Sequence, residues 1–437
     1  MNIAYVDPAY SRHFQALAGV LARRTGGEVV ALLSSPAYRL YTGADRSIVW
    51  QPGLSDHLRE LPPEFEHATW APMQDPRSMA VFAHAVEWFK QRFAQECIEL
   101  CLVFSDARPF SVAARLAAQE LGVVILYFER GAFRLMTSSL STLGLNSRFS
   151  LRRAEALPGI TGIAEDAPLT PRRSEPWLRT RFALFLLRNL LACLLQPDRA
   201  RMQHKRYAVG PYLRLAWAQW LTEHHLASEH DEALPARKGR ALIVVPLQLQ
   251  TDSQLVLHSP FENNQAFIDF LAAEVTRVAP NAVLLFKRHP MDATRYRLPE
   301  GARMVGGNLG RFHRARPVVV CINSTVGFES LVRGERVICF APSFYADAPS
   351  LVTATQVDFA QRLAEVLAGD GDREAGQALR ATVLRCYQAP GDAWAYTAQD
   401  IEATAEIALK HFRAARLSLV RRAAPAVIDV EADRAIA

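Results

Sequence analysis

The sequence predicts an α/β chain of two doubly wound, Rossmann-like domains facing a cleft, and three observations carry that expectation. Short apolar runs alternate with longer amphipathic stretches in both halves of the chain. A polar, turn-rich segment, EHDEALPARKGR at 229–240, separates the halves. The 437 residues, half of them apolar, suffice for two to three cores at about 150 residues each.

The first half opens with the strand-like IAYV (3–6), an amphipathic helical stretch from Ser11 to Arg24 and EVVALLS (28–34) as a second strand. A helix from Met79 to Gln95, the strand CLVFS (101–105), a helix from Pro109 to Leu121 and the strand VVILYF (123–128) follow. Such alternation favours parallel strands with helices as crossovers. From Thr137 to about Ser228 it gives way to a polar loop and then helices, among them Tyr212 to Leu226, a helical insertion or connector. ALIVVP (241–246) starts a second α/β unit, continued by a helix from Asn263 to Val278, AVLLF (282–286), VVVCI (318–322), a helix from Val326 to Arg333 and RVICF (336–340). Beyond Ala389, helices from Ala393 to Lys410 and on towards Arg422 are expected to cross back onto the first domain, ahead of a frayed tail. The expected division is 1–150, 151–235, 236–388 and 389–437. Two Rossmann-like halves joined by a linker are the architecture of many glycosyltransferases, the GT-B arrangement.

Charged residues at 22% and aromatics at 9% are ordinary for a globular protein, and 25 Pro and 22 Gly are scattered, which excludes disordered, collagen-like and low-complexity classes. The start, MNIAYVDPAYSRHF, lacks the basic residues and long apolar stretch of a secretory signal, so a cytoplasmic chain is expected. Six cysteines (97, 101, 193, 321, 339, 386) form no C-x-x-C pair and read as buried thiols. The net charge of +6 is concentrated: Arg172 to Arg206 holds nine Lys or Arg against Glu175 and Asp198, a local +7, and the rest of the chain is near neutral. The centre of that segment, LRTRFALFLLRNLLACLL (178–195), is too interrupted to span a bilayer, because Arg181, Arg188 and Asn189 would sit in hydrocarbon. Two readings stay open for it. One is an interfacial helix that meets anionic lipid through Arg181, Arg188 and its leucines; the other is a helix buried between domains with its arginines paired internally. Its apolar character suits lipid better than a phosphate backbone, so no nucleic-acid partner is expected.

No G-x-G-x-x-G follows the first strand and no Walker A sequence occurs, which argues against dinucleotide oxidoreductases and P-loop enzymes. H-E-x-x-H and G-x-S-x-G are absent too. What does occur is a set of polar residues just after strands of the second half, where open parallel sheets bind ligands. LQLQTDSQ follows ALIVVP and supplies Gln250 and Asp252; KRHP follows AVLLF and supplies Lys287, Arg288 and His289; NSTVGFES follows VVVCI and supplies Asn323, Ser324, Thr325 and Glu329. Ser324 and Thr325 precede a helix whose free N–H groups and positive end can hold a phosphate, with Lys287, Arg288 and His289 as cationic donors and Glu329 as an acceptor for ribose hydroxyls. Together they describe a nucleotide-sugar site. Asp252 either attacks an anomeric carbon or hydrogen-bonds a sugar hydroxyl, and spacing does not choose between the two.

In the first half, VVILYF runs into Glu129 and Arg130, with Arg134 close behind. Facing the second half across a cleft, Glu129 could serve as general acid or base and the arginines could bind an anionic acceptor; a buried structural salt bridge is the competing account. Structural readings exist for the others as well: Ser324 as an N-cap, His289 as the end of a strand, Glu329 as a first-turn carboxylate. Their joint occurrence at successive strand ends favours a site.

PLQLQTDSQLVLHSPF, LLFKRHPMD and INSTVGFESLVRGERVICF, with YFERGAFR and GLNSRFS upstream, resemble the capsule polysaccharide β-Kdo transferases of the KpsS/LipB type, from the first strand through about Ala389. The resemblance implies a retaining transfer of β-Kdo from CMP-β-Kdo to a (lyso)phosphatidylglycerol-type lipid, initiating the poly-Kdo linker of a capsule. It makes 1–150 the acceptor domain and 236–388 the CMP-sugar domain. It implies His289 and Ser324 at the CMP phosphate, Asp252 as nucleophile of a double displacement and Glu129 as acid/base, with Lys287, Arg288 and Arg134 offsetting the donor's carboxylate and phosphate. No metal or other cofactor is then required. The implied partners are the CMP-sugar, the phospholipid acceptor, the anionic inner face of the cytoplasmic membrane, on which the protein would sit peripherally, and other capsule synthesis and export proteins. A transferase using another CMP-sugar, such as a sialic acid, on a glycan, and a non-catalytic membrane-associated capsule-assembly or export protein are the alternatives.

Overall fold

The computed structural model describes residues 1–42, 46–62, 75–174, 177–203, 217, 240–250, 252–290, 292, 294–306 and 309–423. The expected helix at Tyr212–Leu226 lies outside the described residues except for Trp217, as do nearly all of the 229–240 linker and the tail beyond Ala423.

The first half runs β1 (Asn2–Val6), α1 (His13–Thr25), β2 (Val29–Leu33), β3 (Ser47–Val49), α2 (Pro76–Gln95), β4 (Ile98–Phe104), α3 (Pro109–Leu121), β5 (Val124–Arg130) and β6 (Thr137–Ser141). Helices α4 (Leu151–Glu155), α5 (Leu178–Leu195) and α6 (Pro197–Arg201) come next. The second half runs β7 (Leu242–Pro246), α7 (Ser253–His258), α8 (Asn264–Val278), β8 (Val283–Lys287), β9 (Arg303–Val305), β10 (Val318–Cys321), α9 (Thr325–Val332), β11 (Arg336–Cys339), β12 (Leu351–Thr353), α10 (Phe359–Ala368) and α11 (Arg373–Tyr387). The chain then returns to the first half through β13 (Gln388–Pro390) and α12 (Ala398–Ala423).

These elements form two sheets, in the orders β13-β6-β5-β4-β1-β2-β3 and β12-β11-β10-β7-β8-β9. The second is parallel throughout, and counted from β7 its order is the 3-2-1-4-5-6 of a doubly wound dinucleotide-type sheet. The first is parallel from β3 to β5, with β6 and β13 added antiparallel at its far edge. The protein is therefore an α/β protein with two parallel-sheet halves and a C-terminal crossover, as the alternation predicts.

Both faces of each sheet are covered, which explains the continuous apolar runs. In the first sheet Ala4, Val6, Cys101 and Val103 face α2 and α3, while Ile3, Tyr5, Leu100 and Leu102 face α1 and α12. In the second, Val244, Val319 and Val337 share a core with α9 and α11, and Ile243, Val320 and Ile338 share one with α8 and α10. Gly26 and Gly122 end α1 and α3 in the left-handed conformation, at φ 66° and 70°. None of the described helices is long and apolar enough to cross a membrane.

Two expectations need correction. The segment after Thr137 begins with a buried strand, TSSLS, because its hydroxyls find partners inside the protein: Thr137 Oγ1 donates to Gln388 Oε1 (2.6 Å) and Ser138 Oγ to the Gly391 carbonyl (2.7 Å). The cysteines are not all buried either. Cys97 is exposed in the turn between α2 and β4, where φ is 48°, and Cys193 is half-buried on α5, a helix with one side open to solvent.

Candidate functional site

The carboxyl ends of the strands gather the polar residues of both halves. At the end of β5, alternation along the strand sends neighbouring side chains to opposite faces. Arg130 turns to Asp392, its Nε 3.1 Å from Oδ2 of that fully buried carboxylate, and its guanidinium lies 4.5 Å from the Trp394 ring centroid. The structural salt-bridge account thus holds for Arg130. Glu129 faces the other way. Burial pushes its carboxyl up to about 7, with Arg108 and Arg134 lowering it and Asp106 and Asp252 raising it. The turn that follows is tight: a Cβ on Gly131 would stand 2.1 Å from Thr137 Oγ1, so only glycine lets the chain fold back into β6. Arg134, on that turn, keeps contact with solvent yet is surrounded closely enough that desolvation lowers its pKa, against the pull of Glu129 and Glu329.

In the second half, Asp252 is the N-cap of α7, with Oδ1 accepting from the Gln254 N–H at 2.9 Å. Burial raises its pKa, and the Gln254 N–H, His289 and Arg134 oppose that shift. His289 follows β8; burial lowers its pKa and Asp252 raises it. Its carbonyl accepts from the Asp292 N–H at 2.9 Å, and Asp292 in turn accepts from Tyr296 and from the Thr294 N–H, a hydrogen-bonded turn that fixes the histidine's backbone. Lys287, half-buried, has its pKa lowered by burial and raised by Glu329. Ser324 caps α9 through the Val326 N–H (3.2 Å) and its carbonyl accepts from Tyr345 Oη (2.6 Å); Thr325 is the first helical residue. Glu329 stands one turn on, 3.6 Å from Arg333.

The charges of Glu129, Arg134, Asp252 and His289 therefore act on one another across the two halves, with Lys287 and Glu329 beside them. Other predicted residues are engaged elsewhere. Arg288 donates to the Thr294 carbonyl and lies 5.8 Å from the Tyr296 ring centroid. Gln250 accepts from the Asn264 N–H (3.2 Å) at the start of α8. Asn323 accepts from Gln248 (2.6 Å) and donates to Ser147 Oγ (3.0 Å) and the Pro342 carbonyl (3.1 Å).

Ser147 was not singled out from sequence, although it lies in the GLNSRFS segment. Its hydroxyl also stands 2.5 Å from Gln254 Oε1 and 2.7 Å from the Pro342 carbonyl, so one side chain of the first half touches the loops that carry Asp252 and Ser324. Aromatic contacts reinforce this junction: Phe133 meets Phe328 at 5.6 Å and Phe149 stacks on Tyr387 at 3.9 Å. Asp7, Asp106 and Arg108 were missed as well, though each follows a strand of the first sheet and is buried. The signal available was the same strand-end position used for Glu129.

The basic apolar segment is resolved into two kinds of arginine. Arg172 pairs with Asp400 through two hydrogen bonds of 3.0 and 3.1 Å, Arg199 is buried against the Ser34 carbonyl, and Arg201 reaches Asp75 at 2.7 Å. Arg173, Arg179 and Arg188 are exposed, and Arg181 is half-buried. Helix α5 is not buried between the halves: it packs on the first through Phe182 and Phe185, while Leu184, Leu187, Leu191, Leu194 and Leu195 are exposed, Leu195 at 84%. Among the described residues, no group of three His, Cys, Asp or Glu is placed to hold a metal ion.

The family model described as capsule polysaccharide biosynthesis protein matches residues 99–359. The chain belongs to that family. It is 28% identical over 219 residues to the capsule polysaccharide modification protein LipB of Neisseria meningitidis serogroup A, covering 47% of this chain and 51% of LipB. It is 24% identical over 270 residues to the capsule polysaccharide export protein KpsS of Escherichia coli, covering 57% of this chain and 68% of KpsS. The chain thus spans about half the length of its LipB relative. Among solved structures, the β-Kdo 2,7 transferase KpsC of Thermosulfurimonas dismutans aligns with a TM-score of 0.36 at 17% identity, over 74% of this chain and 89% of that one.

Proposed function

We propose that this capsule polysaccharide biosynthesis protein is a retaining glycosyltransferase that moves β-Kdo from CMP-β-Kdo to a (lyso)phosphatidylglycerol-type lipid, initiating a poly-Kdo linker. The observation that carries the reading is the junction at which Ser147 of the first half meets Gln254 and Asn323 of the second, where the charge of Asp252 bears on Glu129 and that of His289 on Asp252. A double displacement uses two carboxyls, one as nucleophile and one as acid and base.

In this reading the CMP phosphate lies against His289 and the start of α9, where Ser324 and Thr325 open the helix, and Lys287 offsets its charge. One oxygen of Asp252 caps α7 and so fixes the carboxylate; the other attacks the anomeric carbon as the bond to CMP breaks. The acceptor hydroxyl then displaces Asp252 and gives its proton to Glu129, whose pKa near 7 suits a base that must also release the proton. The exposed leucines of α5, with Arg179 and Arg188, hold the protein on an anionic inner-membrane surface where the lipid acceptor resides. The test is incubation with CMP-Kdo made in situ and a short-chain lysophosphatidylglycerol, followed by mass spectrometry of the lipid. A lipid heavier by one Kdo is expected. A chain that binds CMP but yields no Kdo-lipid sinks the assignment of donor and acceptor and leaves another CMP-sugar or a glycan acceptor.

A further inference from the structure

Arg108 has no part in the chemistry above. It follows β4 on the same strand-end rim as Glu129 and is only 8% exposed. Its guanidinium carbon lies 4.8 Å from the Phe104 ring centroid and 5.6 Å from that of Tyr10. Its Nε and Nη1 have no hydrogen-bond partner, and the hydroxyl of Tyr10, a residue only 6% exposed, has none either. Buried donors are nearly always satisfied in folded proteins, and a guanidinium is all donors. Two such groups side by side are complementary to an oxygen-rich anion.

The protein's own carboxyls do not meet that demand. Asp7 gives both oxygens to Ser34, accepting from its N–H at 2.8 Å and its hydroxyl at 2.6 Å, and burial pushes it up to about 7. Glu129 is raised to about the same value. Both stay partly neutral at physiological pH, and they are the carboxylates whose charge Arg108 feels. The loops that hold the pair are held under strain: Asp7 and Tyr10 after β1, and Ser105 after β4, take φ of 35°, 58° and 70°, which is costly for residues with a Cβ. Helix α5 closes over Tyr10, with Phe182 and Phe185 at 4.9 and 5.1 Å from its ring.

We propose that Arg108 and Tyr10 bind an oxyanion carried by the acceptor, a phosphate or a carboxylate, and so hold the acceptor between helix α5 and Glu129. The inference rests on the transferase reading, since it is the acceptor that this half would receive. A forked guanidinium grips two oxygens of either anion, and the tyrosine hydroxyl donates to a third contact point.

The experiment is calorimetric titration of the full chain with three probes: glycerophosphoglycerol as a phosphodiester, the methyl glycoside of Kdo as a carboxylate, and CMP. Arg108→Gln is expected to weaken one of the two anionic probes by about 100-fold, and Tyr10→Phe by about 10-fold, with CMP affinity unchanged. Tyr10→Phe removes a hydroxyl that bonds nothing in the free protein, so it folds as the parent does even if Arg108→Gln does not, and a merely structural residue would leave the titration unmoved. Loss of the phosphodiester identifies a lipid head group; loss of the carboxylate identifies an acidic sugar as the acceptor's end. Variants that bind both probes like the parent, or a parent that binds neither, overturn the proposal. Absence of CMP binding alone would instead strike the transferase reading.

Discussion

The folded protein holds Glu129 more readily with its proton than without it, and replacing the residue should expose the cost of the charged form. Its carboxyl is raised from 4.5 to about 7, chiefly by burial. A raised carboxyl binds its proton more tightly in the folded state, so its contribution is best below the unfolded value of 4.5 and is lost as pH climbs from there to about 7, after which the loss is level. The full shift corresponds to about 3 kcal/mol. Glu129→Gln keeps the shape and removes the titration. It should therefore gain under about 1 kcal/mol at pH 5 and up to about 3 kcal/mol at pH 8, less whatever the buried amide costs in lost solvation. Urea denaturation of the parent and the variant at both pH values measures the difference, and a transfer assay on the same samples should show activity lost. Equal effects at pH 5 and pH 8, or a variant that gains less at pH 8 than at pH 5, would refute the reasoning, because burial would then not be what holds the proton.

Asp252→Asn should abolish transfer while leaving CMP affinity within about twofold by titration; surviving transfer would remove Asp252 as the nucleophile. His289→Ala should weaken CMP binding about tenfold or more and slow turnover with it, and unchanged binding would take His289 off the phosphate. Leu187→Ser combined with Leu191→Ser should release the protein from vesicles containing phosphatidylglycerol without lowering its melting temperature, since both side chains are exposed, at 56% and 52%; persistent vesicle binding would move the membrane contact elsewhere. Ser147→Ala should lower the unfolding free energy by about 1 kcal/mol by removing the hydroxyl's hydrogen bonds to Gln254, Asn323 and the Pro342 carbonyl, and an unaltered denaturation curve would show that water replaces the hydroxyl.

The larger strands could be read from the sequence because parallel strands covered on both faces become unbroken apolar runs, as in LIVVP or VVVC. β6 could not, because four of its five buried residues are serines and a threonine, and Thr137 and Ser138 find their partners, Gln388 and Gly391, far along the chain. The three-residue strands β3, β9, β12 and β13 are too short to show a period. At the site, position after a strand was enough to single out Glu129, Asp252 and His289. It could not separate them from Arg130 and Arg288, whose engagement with Asp392 and Thr294 depends on which face of the backbone each side chain takes and on loops folding back. The same rule applied to CLVFSDAR would have found Arg108; the neighbouring Pro109 and apolar helix made it look like a helix boundary and nothing more.

The return of β13 to the first sheet also sets the order in which the protein can be made. Thr137 and Gln388, bonded at 2.6 Å, are separated by 251 residues. At ribosomal speeds of about 5–20 residues per second, that interval lasts roughly 12 to 50 s. Throughout it, the strand Thr137–Ser141 has Glu129 and its neighbours on one side and an open hydrogen-bonding edge on the other, and Tyr5, Leu102 and Leu126 await the helix that will cover them. The second half is translated, and free to fold, while the first is still incomplete, so the nascent chain needs protection longest in the part emerging first from the ribosome.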